Sequence, residues 1–323
     1  MAYIKSVDKR ITIIDSLDLG MQGRTSCYVL QDEKIVLFEP SASPSIPHIL
    51  EGLEELKIPL EKIAFIIVTH IHLDHAGGAG LLLEKCRNAK LIVHPRGAKH
   101  MADPTKLIAG AKSVYGDEFN LLFDPIIPIP EDRILIKGHG EILKIGKQSY
   151  LTFYDSPGHA NHHFSIHDSV SNGIFTGDTL GIFYGEFLHQ DQEFYLPSTS
   201  PTQFNPESML QSANMIEALN VNKIYFSHFG VCHYPQLAIN ELRKWLPQFL
   251  DIACNTLKVH QEKGFHQICK AVEVELKKLV FSELKKQTIP NDSKIYKILS
   301  ADLSICAMGL VDYLNKCLER SEK

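Results

Sequence analysis

Short apolar runs alternate with helical periodicities along the first two thirds of the chain, and only helical periodicity follows. Runs rich in β-branched and aromatic residues predict strands at Ile11–Ile14, Ser26–Leu30, Ile35–Phe38, Phe65–Val68, Leu91–Val93, Tyr150–Tyr154, His163–Ile166, Gly173–Thr176 and Lys223–Phe226. Between them a helical pattern covers Ile46–Leu56 and stops ahead of Pro59. Others cover Gly80–Cys86 and Pro206–Leu219, the latter with Asn205 as its N-cap. Strands alternate with helices only in places, and hairpin-like pairs also occur. That mixture predicts mixed sheets with helices outside them, rather than a doubly wound parallel sheet.

Two stretches break the rhythm. Pro95–Pro130 is less regular, with one helix expected from Pro104 to about Tyr115 and a proline-rich loop, FDPIIPIPED, after it. Residues 183–202 are irregular and aromatic, carrying Tyr184, Phe187, Phe194 and Tyr195. Long irregular loops are uncommon in compact domains unless they serve a site.

After Tyr234 strand signals vanish, and Pro235–His260, Phe265–Lys286 and Ser293–Leu318 all read as helices. The expected division is therefore a metal-binding α/β domain over 1–234 and a helical extension over 235–323. In the last helix Leu299, Leu303, Cys306, Leu310, Tyr313 and Cys317 recur in alternating steps of four and three. Such a seam either packs against its neighbours in the same chain or pairs two subunits as a homodimer through these helices.

Composition sets outer limits. At 323 residues, 44 % hydrophobic and 22 % charged, the chain can bury a sizeable core. A formal charge of -5 offers no basic excess for nucleic acid. No run of about 18 apolar residues predicts a membrane span, and charges interrupt the N-terminal MAYIKSVDKRITIID too early for a signal peptide. The 7 cysteines are odd in number and form no CxxC pair, which favours buried free thiols in a reducing compartment. The expectation is a cytoplasmic protein acting on a small molecule, with neither nucleic acid nor membrane as a partner.

Histidine changes the picture. THIHLDHAGG, Thr69 to Gly78, directly follows the apolar strand FIIV. In an extended segment residues two apart point the same way, so His70 and His72 can present two imidazoles to one metal. Asp74 and His75 follow at the turn and can reach a second metal. Gly77 and Gly78 are expected to let the chain bend into the next helix. Three further candidates sit at the ends of apolar strands beside Gly or a small residue: His159 in DSPGHANH, Asp178 in IFTGDTLG and His228 in IYFSHFG. Imidazole and carboxylate donors without cysteine suit zinc, and also iron or manganese. His94, His100, His162, His163 and His189 read as structural, with a pocket role open for His162. Cys232 and His233 would compete with an already complete ligand set.

HxHxDH, then GH, then GD, then a last His, in this order, resembles the metallo-β-lactamase superfamily, and the spacing is similar to its glyoxalase II-like branch. The resemblance covers about Ile11 to Tyr234. It implies an α/β fold, the αββα sandwich of two mixed β-sheets with outer helices, here with an all-helical C-terminal extension. It also implies two divalent metal ions, zinc first: one on His70, His72 and His159, the other on Asp74, His75 and His228, with Asp178 bridging. Where relatives often carry Asp-Thr-Gly or Asp-Pro-Gly, this chain has Glu39-Pro40-Ser41, and Glu39 is expected to orient a ligand.

The implied reaction is hydrolysis of an ester-like bond, thioester or lactone first, by a hydroxide held between two metals. Asp74 or Asp178 would move the proton, and Tyr184 would donate to an oxyanion or else simply pack. Residues 183–201 and 101–123 are the expected pocket walls. The rivals are a regulatory or binding protein on the same fold, a phosphodiesterase or nuclease, and an oxygen-reducing di-iron flavoprotein. Members of that last class usually carry Glu where His72 stands, together with a flavodoxin domain.

Overall fold

A computed structural model describes residues 2–185 and 193–321 of the chain. Phe187 and His189 lie outside the described residues. The chain divides into two compact units.

The first unit comprises Met1–Ser156, His162–Gly177 and Val221–His233. Its first sheet lays seven strands side by side in chain order: β1 (Ile4–Ser6), β2 (Ile11–Asp15), β3 (Ser26–Leu30), β4 (Ile35–Phe38), β5 (Ile63–Ile67), β6 (Lys90–Val93) and β7 (Ile134–Ile136). From β1 to β4 the pairing is antiparallel, and from β4 to β7 it is parallel. Parallel neighbours need a crossover, and helices supply it: α1 (Ile46–Glu55) after β4, then α2 (Leu73–Ala76) and α3 (Ala79–Lys85) after β5. The connection from β6 to β7 carries α4 (Pro95–Ala102), α5 (Thr105–Tyr115) and α6 (Phe119–Phe123).

The second sheet starts with β8 (Ile142–Lys144), β9 (Tyr150–Asp155), β10 (Phe164–Asp168) and β11 (Gly173–Gly177). After a short pair that belongs to the second unit, β12 (Ile182–Phe183) and β13 (Tyr195–Leu196), it is completed by β14 (Lys223–Phe226) and β15 (Gly230–Cys232). Its order is β15-β14-β11-β10-β9-β8, parallel only between β11 and β14.

The two sheets pack face to face. One core cluster interleaves Ile13, Tyr28, Val36 and Phe38 of the first with Phe153, Ile166, Phe175 and Tyr225 of the second. Phe38 stacks on Phe175 at 3.8 Å between ring centroids, and Phe175 on Tyr225 at 4.4 Å. The Tyr28 hydroxyl crosses the same gap and lies 2.7 Å from the carbonyls of both Phe226 and Gly230. A second cluster covers the other face of the first sheet with Ile46, Ile49 and Leu53 of α1 and Leu82 and Leu83 of α3. Burial on both faces explains why the parallel strands β4 and β5 read as unbroken apolar runs without alternation.

The second unit comprises Pro157–Asn161, Asp178–Asn220 and Tyr234–Lys323. It holds α7 (Pro206–Ala218), α8 (Pro235–Val259), α9 (Phe265–Lys286) and α10 (Ile295–Ser321). Asn205 caps α7 as its sequence predicts, its side chain accepting from Ser208 N–H at 2.7 Å. In α8, Leu242, Trp245, Leu246, Phe249 and Ala253 form one buried stripe. Leu299, Leu303, Cys306 and Leu310 of the α10 seam are buried inside the unit as well. The inward-packing reading of that seam describes these four residues. Among the described residues no helix is long and apolar enough to cross a membrane.

Two local expectations change. Pro95–Pro130 is more regular than its sequence suggests, because α4 starts on Pro95 with His94 as its cap: the imidazole Nδ1 accepts from Arg96 N–H at 3.1 Å. A histidine cap carries less sequence signal than Ser or Asp. Gly77 and Gly78 do not bend the chain through unusual dihedrals, since both are right-handed helical. Gly78 is needed for closeness instead: a Cβ there would meet Ile46 Cδ1 at 2.6 Å and Ala42 O at 3.1 Å.

Candidate metal centre

Strand register gathers the first group of candidate ligands. β4 and β5 are parallel, with Phe38 opposite Ile67. Their C-terminal ends therefore leave the sheet together, β4 into Glu39 and β5 into Val68, Thr69 and the histidine motif. Glu39 N–H donates to Ile67 O at 2.9 Å. Glu39 and Ser41 hold left-handed backbone dihedrals, φ 60 and 61. Non-glycine residues rarely do so, and such strain concentrates at functional sites.

Glu39 fulfils the orienting role expected of it. Its Oε1 accepts from Thr69 N–H at 2.6 Å, and its Oε2 takes the Nδ1 proton of His75. The His75 Nε2 lone pair is thereby directed away from Glu39. His70 is oriented in the same manner, with Nδ1 3.1 Å from Thr69 Oγ1 and Nε2 3.0 Å from His72 Nδ1. His72 stays extended as the residue ahead of α2, which places Asp74 and His75 in that helix.

Asp74, His75 and His228 form a second convergence. Asp74 Oδ2 lies 3.6 Å from Nε2 of His75 and 3.6 Å from Nε2 of His228. Donor atoms around one tetrahedral zinc stand roughly 3.3 Å apart, given metal–donor distances of about 2.0–2.2 Å. Glu39, His70 and His75 also lie with ligand atoms within 4.8 Å of one another, as do Asp74, His75 and His228. His70, His75 and His228 are buried. Nitrogen and carboxylate donors at these spacings fit a divalent cation.

In the second unit, His159 and Asp178 stand together. His159 Nδ1 donates to Ser198 O at 2.9 Å, and its Nε2 lies 3.6 Å from Asp178 Oδ2. Ser198 Oγ donates to that same carboxylate oxygen at 3.0 Å. Of the seven predicted ligands, the structure thus groups His70, His72, Asp74, His75 and His228 in the first unit, and His159 with Asp178 in the second.

Tyr184 is buried, and its hydroxyl donates to Asp302 Oδ2 at 2.9 Å, a bond that an oxyanion role would have to compete with. His163 stacks on His70 at 4.9 Å and His162 meets His72 edge-on at 5.5 Å, so both pack against candidate ligand rings. His94 is structural, as its cap shows. Burial pushes its imidazole pKa down, while Asp155, 3.3 Å from Nε2, opposes the shift. In the expected wall 101–123, Phe119 and Phe123 pack with Leu73, the residue before Asp74.

Sequence reading missed two sets of residues. Asp18 is buried and paired with Arg24 Nε at 2.9 Å. Burial raises its carboxyl pKa, Arg24 opposes this, Asp74 adds to it and His228 relieves it. The Gly-punctuated turn between β2 and β3 was its signal. Ser198 is the other; the run Ser198-Thr199-Ser200 before α7 was visible but bore no motif.

With this geometry in place the comparisons fall into line. The model of the metallo-beta-lactamase superfamily matches residues 20–228, and the chain belongs to that superfamily. It is similar to the metallo-beta-lactamase fold-containing protein ST1585 of Sulfurisphaera tokodaii, 26% identical over 190 residues, 58% of this chain and 68% of that one. The crystal structure of ST1585 superimposes with a TM-score of 0.61 over 73% of this chain and 86% of that chain, at 22% identity. A metallo-beta-lactamase family protein of Thermus thermophilus, TTHA1429, gives 0.61 over 90% and 88%, at 16% identity. The rubredoxin-oxygen oxidoreductase of Megalodesulfovibrio gigas is 27% identical over 139 residues, but only 29% of its length is spanned. Together these establish the αββα metallo-β-lactamase sandwich with C-terminal helices. Membership supports a metal-dependent, hydrolase-type activity.

Proposed function

We propose that the protein is a binuclear metallohydrolase cleaving an ester-like bond, with thioesters and lactones as the first substrates to test. The observation that carries the reading is the approach of His75 and His228 Nε2 to a single oxygen of Asp74, each at 3.6 Å. His70, His72 and His159 would hold one cation, Asp74, His75 and His228 the other, and Asp178 would bridge them. Zinc comes first, and iron and manganese fit the same donors. Bound divalent cations would supply the acidity that makes hydroxide available near neutral pH, water's pKa falling to about 7.

The chain's own contribution is orientation. Glu39 Oε2 and Ser198 O take the Nδ1 protons of His75 and His159, which fixes each ring's tautomer and leaves Nε2 as donor. The substrate class follows from the apolar and aromatic content of the candidate walls, which suits an acyl group better than a bare phosphate. His72 is a further mark against the di-iron flavoprotein alternative.

The test is a screen of thioesters, lactones and phosphodiesters with metal-replete protein, alongside Asp178→Ala and chelator-treated controls. Turnover of one acyl class that both controls abolish supports the proposal. Phosphodiesters as the sole substrates would move it to that class. Full turnover by Asp178→Ala would sink the bridging role, and metal uptake without any turnover would leave a binding protein.

A further inference from the structure

We propose that helix α10 is a positioning element for the metal centre, acting through the segment Pro197–Ser200 on His159 and Asp178. The inference rests on the metallohydrolase reading and extends it to the C-terminal helices.

The chain of contacts is continuous within the second unit. Thr199 Oγ1 donates to Cys306 O at 2.9 Å, and Cys306 Sγ lies 3.5 Å from Pro197 O. Gly309, one turn further along α10, lets the helix backbone press against the segment: a Cβ there would collide with Thr199 O and meet the carbonyl carbons of Thr199 and Ser200 at 2.7 Å. From the same segment Ser198 serves both ligands, its carbonyl accepting from His159 Nδ1 and its hydroxyl donating to Asp178 Oδ2. Ser200 Oγ is 3.3 Å from His159 O. Thr199, Cys306 and Gly309 touch neither ligand in these contacts; they fix the residue that does. Groups hydrogen-bonded to metal ligands set ring tautomer and carboxylate direction, and losing one typically costs about 10–100-fold in metal affinity. Here α10 fixes such a group from behind.

Gly309→Ala is the sharpest probe. Alanine has higher helix propensity than glycine, so on propensity alone the substitution favours α10. Weakened metal binding would therefore come from displacement of Thr199 and Ser200. Gly264→Ala, ahead of α9 at φ -70, where nothing lies within 4 Å of the added Cβ, is the control. Should Gly309→Ala fail to fold, Thr199→Val removes only the bond to Cys306. The measurement is zinc affinity and stoichiometry, by competition with a chromophoric chelator. Ring 15N shifts of His159 in zinc-free protein and urea unfolding in excess chelator accompany it.

The expected result is about a 10–100-fold loss of affinity for one zinc equivalent in Gly309→Ala. Its His159 should show a smaller fraction with the proton on Nδ1, while zinc-free unfolding stays cooperative. Gly264→Ala should match the wild type. Wild-type affinity in both Gly309→Ala and Thr199→Val, with His159 shifts unchanged, overturns the role of α10. A wild-type chain that takes up no zinc, iron or manganese overturns the metallohydrolase reading, and this inference with it.

Discussion

The two regions that carry the candidate ligands are held by different means. In the first unit the histidine motif grows out of a parallel strand pair, and a buried carboxylate, Glu39, clamps both its backbone and His75. In the second, the loop residue Ser198 meets His159 through a neutral carbonyl and Asp178 through a hydroxyl. The charged Glu39 carboxylate therefore holds His75 more strongly than the neutral Ser198 carbonyl holds His159. Strand ends in a buried sheet also move less than a loop does. A candidate ligand set can thus be uneven in rigidity, with the loop-held pair the more easily displaced half.

The largest expected effect lies with the ligands themselves. His75→Ala and Asp178→Ala should each lower turnover by more than about 100-fold, the upper end of what an outer partner costs. If one of them retains activity, the two regions do not serve a common centre. Glu39→Gln comes next, at about 10–100-fold in zinc affinity. The glutamine oxygen can still accept from Thr69, but its NH2 group then faces the His75 Nδ1 proton. Ser198→Ala should cost less, about tenfold, since the carbonyl to His159 survives and only the hydroxyl is lost. An order reversed between Glu39→Gln and Ser198→Ala, measured by chelator competition, would make the loop-held pair the firmer half.

The smallest effect is on stability against pH, in the first unit alone. Burial lowers the pKa of His94 in the folded state, so protons bind better to the unfolded chain. The neutral ring's contribution to stability is complete above about pH 6.5, the unfolded value. It falls as pH drops below that and through the lower folded value. His94→Asn keeps a capping acceptor and removes the titration. Urea midpoints of this variant should therefore decline less than those of the wild type between about pH 7 and pH 5. Equal declines would assign the pH dependence to other groups.

Much of this was legible in the sequence, for physical reasons. Strands such as Ser26–Leu30 and Lys223–Phe226 are buried by both sheet partners and core, so their apolar runs are unambiguous. HxHxDH was legible because local backbone geometry alone sets the spacing of its donors. Glu39 was legible as an orienting carboxylate by its place after β4. What stayed hidden depends on tertiary contact. Asp18 and Arg24 form a pair only once the turn after β2 folds back, and Ser198 looks like any small polar loop residue until α10 lies behind it. The inward seam of α10 could not be told from a subunit interface by periodicity, because both leave the same stripe.

The distances along the chain give the brace on Ser198 one more consequence. Glu39 finds Thr69 and His75 only 30 and 36 residues away, so that clamp can close early as the chain emerges from the ribosome. Thr199 must wait for Cys306, 107 residues later. During synthesis the histidine motif therefore has its orienting carboxylate long before Ser198 has its backing, and the nascent protein spends an interval with only one of the two clamps closed.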